Sequence, residues 1–245
     1  MSRWRWLAML GLAMAVGTAG CGALPSPPVA RVPQRPGQVV NFDVLYAENC
    51  AACHGERGQG GAAIALANPV YLAIADNEVL RKVIRNGIPG TPMPAFAQPA
   101  GGMLTDQQVS ALVDGIRKWA KPGDLAGPQP PPYTGAPGNT QRGAQVFETY
   151  CSSCHGSHGR GGKKAGSVVN PSYLALVSDQ NLRTIVIAGR PEFDAPDWRA
   201  DLPGHPMTGE EVSDVVAWLE SQRTVYPGQP YPAGKRENSV KGGKP

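Results

Sequence analysis

The sequence Cys-x-x-Cys-His occurs twice in this chain, and it constrains the fold more than any other feature. The first copy spans Cys50 to His54 and the second spans Cys151 to His155. Matching positions are about 100 residues apart, a spacing that indicates an internal repeat. Because the same five residues return within a longer shared context, we expect two copies of one structural module.

Each copy has the groups that covalent attachment of a haem requires. Two thiols can add across the haem vinyl groups to form thioethers, and the adjacent histidine can reach the iron. The predicted thioether residues are Cys50, Cys53, Cys151 and Cys154. His54 and His155 are the predicted axial ligands, one for each of two haem c groups. One copy alone would also fit a zinc half-site or a redox-active cysteine pair, and the repetition argues against both.

The segments around the two motifs predict the same helices twice. One helix is predicted before each motif, over Phe42–Asn49 and over 141–150. After each motif come a glycine-rich loop, an Asn-Pro pair and a second helix, over Asn77–Asn86 and Asp179–Ala188, with apolar residues at helical spacing. A glycine follows each of these helices, as is common at helix ends.

A final helix is predicted in each copy from its capping residues. Thr105 with Gln108, and Thr208 with Glu211, have the spacing of a capping box, in which two side chains satisfy backbone groups at a helix start. We expect these helices to run to about residues 120 and 222.

The amino terminus has the pattern of an export signal. Arg3 and Arg5 precede an apolar stretch too short to span a membrane, and small residues follow up to Cys21. This pattern resembles a bacterial lipoprotein signal over 1–20, with Cys21 lipidated as the first residue of the mature chain. A plain secretory signal with an incidental cysteine is the alternative. We expect the protein to be exported and lipid-anchored at the outer face of the cytoplasmic membrane.

Proline and glycine mark the boundaries between the remaining segments. The predicted segments are a Pro-rich spacer at 21–38, a first domain at 39–121, a linker at 122–138, a second domain at 139–226 and a disordered tail at 227–245. With 31 glycines, 25 prolines and 7% aromatic residues, the domains are rich in loops, so a haem would supply much of their apolar interior. No basic run is interleaved with aromatics, and we expect no nucleic-acid partner.

Taken together, these motifs resemble the class I cytochrome c family twice over, across residues 40–121 and 139–225. The resemblance implies an all-α fold, with two tandem domains in which the first and last helices cross beside the haem. It also implies that a proline carbonyl accepts a hydrogen bond from each haem histidine. The matching prolines are Pro69 and Pro171.

The predicted helix crossing can be checked from residue volumes. Copy one has Phe42 in its first helix and Gly115 in its last, whereas copy two has Gly143 and Trp218 at the matching positions. Close-packed helices share volume between facing positions. We therefore predict that each large residue contacts its glycine partner.

The sixth iron ligand distinguishes the two copies. The resemblance implies a methionine in the loop before the last helix, and Met93 fits this role, with Met103 as the alternative. In copy two the aligned residue is Ala195, which cannot bind iron. Met207 is the tentative ligand there; His205 or an open coordination position are the alternatives.

These features favour an electron carrier over an enzyme. We expect a membrane-tethered di-haem cytochrome within or beside a respiratory or dehydrogenase complex, with other redox proteins as partners. The alternatives are a di-haem peroxidase-like enzyme or a small-gas binder that uses an open second haem.

Overall fold

The structure of the chain, a computed structural model, describes residues 34–121, 123, 125, 127–199 and 205–224. The predicted signal peptide, Cys21, most of the spacer and the tail lie outside the described residues. Both predicted cytochrome modules belong to one compact unit, which begins at Pro36.

The described residues fold into α-helices and short 3₁₀ turns and contain no β-strand, which confirms the all-α class. Module one contains α1 (Phe42–Asn49), α2 (Ala51–His54), α3 (Pro69–Ile74), α4 (Asn77–Asn86) and α5 (Asp106–Arg117). Module two repeats them as α6 (Thr140–Tyr150), α7 (Ser152–His155), α8 (Pro171–Leu176), α9 (Asp179–Ala188) and α10 (Gly209–Ser221). No helix in the described ranges is both long and apolar enough to cross a membrane.

The helix ends follow the local sequence. Both predicted capping boxes form at α5 and α10, each with a threonine hydroxyl that accepts the N3 amide and an N3 side chain that accepts the threonine amide. Gly87 and Gly189 end α4 and α9 with φ values of +64° and +67°, a conformation that favours glycine. The predicted limits of α4 and α9 are confirmed.

The predicted helix crossings are also confirmed. In module one α5 packs across α1, and a methyl group added at Gly115 would overlap the ring of Phe42. In module two α10 packs across α6, and a Cβ on Gly143 would lie 2.8 Å from Cβ of Trp218. The same added Cβ would overlap the backbone oxygen of Asp214. Each glycine therefore permits a helix contact that a larger side chain would prevent.

Aromatic rings fill the space beside each crossing. In module one Trp119 lies edge-on to Tyr46 and to Phe42, with ring centroids 5.0 Å and 5.4 Å away. In module two Phe147 and Trp218 have centroids 4.4 Å apart. Pairs of this kind add about 0.5–1.5 kcal/mol beyond their buried area. Together with leucine and valine residues they form one hydrophobic cluster that includes buried residues of both modules.

The end of the predicted linker packs against module two. Arg183 on α9 is buried, and its Nε and Nη2 donate to the carbonyl of Pro132 at 3.1 Å and 3.0 Å. Gln180 donates to the carbonyl of Tyr133 at 2.8 Å. Because a buried guanidinium needs such partners, this part of the linker is held in place.

Candidate haem sites

The two Cys-x-x-Cys-His motifs form single helical turns, α2 and α7. In module one the amide of Cys50 donates to Tyr46 of α1, and the amide of His54 donates to Cys50 at 3.0 Å. The two cysteines and the histidine occupy positions i, i+3 and i+4, which lie on the same face of a helix. Module two repeats both hydrogen bonds with Phe147, Cys151 and His155. The local fold therefore brings two thiols and an imidazole to one side of each turn.

None of the four motif cysteines forms a disulfide within the described residues. Burial, followed by the neighbouring thiol of the same motif, raises the pKa of Cys50 to about 12. Burial and the nearby Cys154 likewise raise the pKa of Cys151 to about 12. The thiols of Cys50 and Cys151 are therefore protonated at neutral pH, because burial disfavours the thiolate. A neutral thioether of similar size fits these surroundings.

Backbone carbonyl groups orient both histidine rings. Nδ1 of His54 lies 2.8 Å from the carbonyl oxygen of Ile64, and Nδ1 of His155 lies 2.9 Å from that of Gly166. A carbonyl can only accept, so Nδ1 carries the proton and the lone pair is on Nε2. This is the tautomer that an iron ligand needs, with the outer hydrogen bond that commonly fixes such rings.

These contacts show that the predicted proline acceptors are wrong. Pro69 and Pro171 are the first residues of α3 and α8, where a proline fits because the first amide of a helix lacks an intrahelical partner. The carbonyls that accept from the histidines lie earlier, in the glycine-rich loops. The expectation placed the acceptor at the first proline after the motif, whereas the loop returns to the histidine before that proline is reached.

The two glycine-rich loops follow the same course with one difference in length. In module one Gly60 donates to the carbonyl of His54 and Ala63 donates to that of Cys53. In module two Gly161 donates to His155 and Ala165 donates to Cys154. Module two therefore has one more residue between the two contacts. This is why the histidine partner is ten residues after His54 but eleven after His155.

The two histidines differ in their surroundings. His54 is buried, whereas His155 is only partly buried. Burial lowers the pKa of His54; the hydrogen bond to Ile64 raises it, and the positive charge of Arg190 lowers it further. The neutral form, which binds metals, is thereby favoured in module one. Arg190 belongs to module two, so the second module contributes to the environment of the first site.

The backbone confirms that Ala195 occupies the position of Met93. The amide of Ile88, directly after the glycine that ends α4, donates to the carbonyl of Met93 at 3.0 Å. The amide of Arg190, directly after the glycine that ends α9, donates to the carbonyl of Ala195 at 2.9 Å. Met93 is partly buried, whereas Met103 is 83% exposed, which argues against Met103 as a ligand.

Met207 and His205 have other partners in the structure. The amide of Met207 donates to Trp198, as the amide of Leu104 donates to Phe96, and both side chains are in the hydrophobic core. Met207 therefore has the packing position of Leu104. His205 is exposed, and its ring lies against Tyr150, whose hydroxyl is 3.2 Å from both ring nitrogens. The sixth ligand at the second site stays a prediction, with Met207, His205 and an open position as its alternatives.

The two sets of residues fit a covalently held haem. Each offers two thiols on one helical face and a histidine with a free Nε2, next to apolar residues. Among the described residues no group of three His, Cys, Asp or Glu side chains could hold a metal ion by itself. The sequence motif did not indicate Arg190, because its neighbours come from the other module.

Comparison with known proteins gives the same assignment for both modules. The profile of the family "Cytochrome C oxidase, cbb3-type, subunit III" matches residues 38–114 and 138–219. A cbb3-type cytochrome c oxidase subunit CcoP of Azospirillum sp. (strain B510) is 32% identical over 133 residues, which are 49% of this chain and 40% of that protein. Cytochrome c55X of Stutzerimonas stutzeri is 32% identical over 105 residues, 43% of this chain and 83% of that one.

Among solved structures, the KustC0563 c-type cytochrome is similar to one part of the chain. It is 28% identical, with a TM-score of 0.29, and the match covers 33% of this chain and 99% of that protein. The chain spans about two fifths of the length of the CcoP relative.

Proposed function

The chain belongs to the family of cytochrome c oxidase, cbb3-type, subunit III, and on that basis we propose that it is a membrane-tethered electron carrier. It is a tandem c-type cytochrome with two covalently bound haem c groups, one in each module. The proposal places it at the outer face of the cytoplasmic membrane, within or beside a respiratory or dehydrogenase complex. Its immediate partners are other redox proteins.

The observation that carries the proposal is the geometry of the duplicated motif. In each module two thiols and one imidazole lie on one helical turn, and a backbone carbonyl holds the imidazole Nδ1–H. Cys50 and Cys53 would hold one haem, Cys151 and Cys154 the other, and His54 and His155 would be their axial ligands. A bound haem supplies an iron that accepts and releases one electron.

Met93 is the proposed sixth ligand in module one. A thioether opposite a histidine stabilises reduced iron and raises the potential. A closed coordination shell suits a carrier, because it leaves no iron position for a substrate. The fixed loop around Met93, with its carbonyl bound by Ile88, supports this role.

Electron transfer can be tested with the purified holoprotein. The full-length chain should take up two electrons from a one-electron donor and deliver both to an oxidised one-electron acceptor. A chain with Cys151→Ala and Cys154→Ala should take up one, and the matched Cys50→Ala and Cys53→Ala chain should do the same. If either variant still takes up two electrons, the assignment of one haem to each motif is wrong.

The membrane tether is proposed from the amino-terminal sequence. Basic residues, a short apolar stretch and small residues before Cys21 support lipidation of that cysteine. Cys21→Ser should move the protein from the membrane fraction to the soluble periplasmic fraction without loss of haem. Attachment unchanged by Cys21→Ser would exclude the lipid anchor.

Co-purification of the detergent-solubilised, tagged chain with a respiratory oxidase or dehydrogenase would test the proposed association with a complex.

A second candidate function concerns module two alone. Ala195 replaces the ligand methionine, and Met207 packs where Leu104 packs in module one. An open iron position would bind cyanide or carbon monoxide. High-spin signals that shift on addition of either ligand would support this binding site, whereas two low-spin haems would leave electron transfer as the only function.

In this test Ala195→Met is the matched variant. It restores the residue type of module one at the equivalent backbone position, and we expect it to convert the second haem to a low-spin form that no longer binds carbon monoxide. Leu104→Met is the control, because it places a methionine in the packing position of Met207. If a methionine at position 104 binds the first iron when Met93 is replaced by alanine, then Met207 is close enough to be a ligand and the open-site proposal fails.

A further inference from the structure

Arg190 and Glu192 of module two lie against the glycine-rich loop of module one. Nη2 of Arg190 donates to the carbonyl of Gly61 at 2.6 Å and approaches that of Ala63 at 3.3 Å. Nε of Arg190 donates to Glu192 at 2.5 Å. The carboxylate of Glu192 in turn lies so close to Gly60 that a Cβ there would overlap it.

Both side chains are largely shielded from water. The side chain of Arg190 is 14% exposed and that of Glu192 is 18% exposed. The guanidinium also lies over the ring of Phe193, 4.9 Å from its centroid. Charges in such surroundings act at a lower effective dielectric constant than charges in water, and salt screens them less. Their field therefore extends to groups nearby in module one.

The loop that Arg190 contacts is the one that holds His54. Ala63, one of its two carbonyl partners, donates its amide to Cys53. The next residue, Ile64, accepts the Nδ1–H of His54 at 2.8 Å. The guanidinium thus lies beside the helical turn that contains Cys53. It also lies beside the hydrogen bond that orients His54. Ile88, which occupies the position of Arg190 in module one, has no charge with which to repeat this contact.

We propose that Arg190 is a positioning residue for the first haem, and that the Arg190–Glu192 pair of module two sets its reduction potential. The inference rests on the proposed ligation by His54 and Met93. An oxidised haem has one more positive charge than a reduced one, so a nearby cation favours the reduced form and a nearby carboxylate favours the oxidised form. The integrity of module two would then determine how readily module one accepts an electron.

The test is a spectroscopic redox titration of the full-length holoprotein, resolved into two one-electron steps. Met93→His identifies the step of the first haem, because exchange of a thioether for an imidazole lowers its potential. We expect Arg190→Gln to lower the potential of this step, by on the order of threefold or more in the ferric–ferrous equilibrium constant. Glu192→Gln should raise it, and Arg190→Lys should leave it near the wild-type value.

The opposite signs separate this role from a structural one. Loss of either partner breaks the same ion pair, so a purely structural contact would give shifts of the same sign. Arg223→Gln is the matched control, because Arg223 donates to the carbonyls of Leu174 and Val177 within module two. Arg223→Gln should leave the reduction potential of the first haem unchanged.

Shifts of equal sign for Arg190→Gln and Glu192→Gln, or no shift, would overturn the inference. If Met93→His changes the reduction potential of neither step, the proposed ligation by Met93 is wrong. That outcome is distinct from one in which only the Arg190 and Glu192 variants fail to shift the potential as expected.

Discussion

Substitution of Gly115 by alanine should reveal how closely α1 and α5 approach. The added methyl would overlap the ring of Phe42. That ring cannot move without loss of its contacts to Tyr46 and Trp119, whose centroids are 5.7 Å and 5.4 Å away. Overpacking of this kind costs about 1–3 kcal/mol. Alanine within a helix is favoured over glycine by about 1 kcal/mol, so we expect a net destabilisation of up to about 2 kcal/mol.

Removal of the Phe42 ring should reverse the effect of Gly115→Ala on the free energy of unfolding. In a Phe42→Ala background the methyl meets no ring, and Gly115→Ala should stabilise the protein by about 1 kcal/mol. The double-mutant cycle then gives a coupling of about 1–3 kcal/mol between the two positions, which is the overpacking cost itself. Denaturant unfolding, followed by circular dichroism and by haem absorbance, measures all four proteins. A Gly115→Ala substitution that stabilises both backgrounds equally would refute the close contact.

Module two provides a contrasting control. A Cβ on Gly143 would overlap the backbone oxygen of Asp214 and lie 2.8 Å from Cβ of Trp218. The substitution Trp218→Ala removes neither atom. Gly143→Ala should therefore destabilise the protein both in the wild-type background and in the Trp218→Ala background, and a full rescue would contradict the backbone contact.

Two further predictions concern buried polar groups. Burial would raise the pKa of Asp214, but hydrogen bonds from Arg142 and from a backbone amide outweigh it and lower the pKa. Asp214→Asn should thus lower the free energy of unfolding by about 1.5–3 kcal/mol at pH 7. The difference between wild type and variant should shrink as the pH falls below about 4, because the carboxylate is then protonated. Unfolding curves measured across this pH range check the expectation. Asn68→Ala should destabilise more than Asn170→Ala by about 1 kcal/mol. Both remove a helix cap, but only Asn68 also donates to Ala188 of the other module, at 2.9 Å, and thermal unfolding of the matched pair checks this.

Local signals in the sequence predicted the elements of the fold well. The capping boxes, the glycines after α4 and α9 and the paired Phe42 and Gly115 each depend on residues within one helix or one crossing. Such features are determined by short-range sterics and by backbone hydrogen bonds that must be satisfied. The internal repeat strengthened these predictions, because the same pattern occurs at matching positions in both copies.

The contacts that the sequence did not predict depend on the course of a loop or on the other module. The acceptors Ile64 and Gly166 are set by how each glycine-rich loop returns to its histidine, and the loops differ by one residue. A proline-rich linker predicts an extended spacer, and nothing local indicates that Arg183 binds its carbonyls. The approach of Arg190 to Gly61 joins residues 129 positions apart, in two copies that the repeat alone would leave independent.

The contacts between the modules give a physical reason for their different sequences. The loop after α4 presents Met93 and makes no charged contact through Ile88, whereas the loop after α9 directs Arg190 to module one. Ala195 lines a cavity of about 520 Å³ together with Asn68 and residues of both modules. The equivalent segment is thus used for a proposed iron ligand in one copy and for the interface in the other.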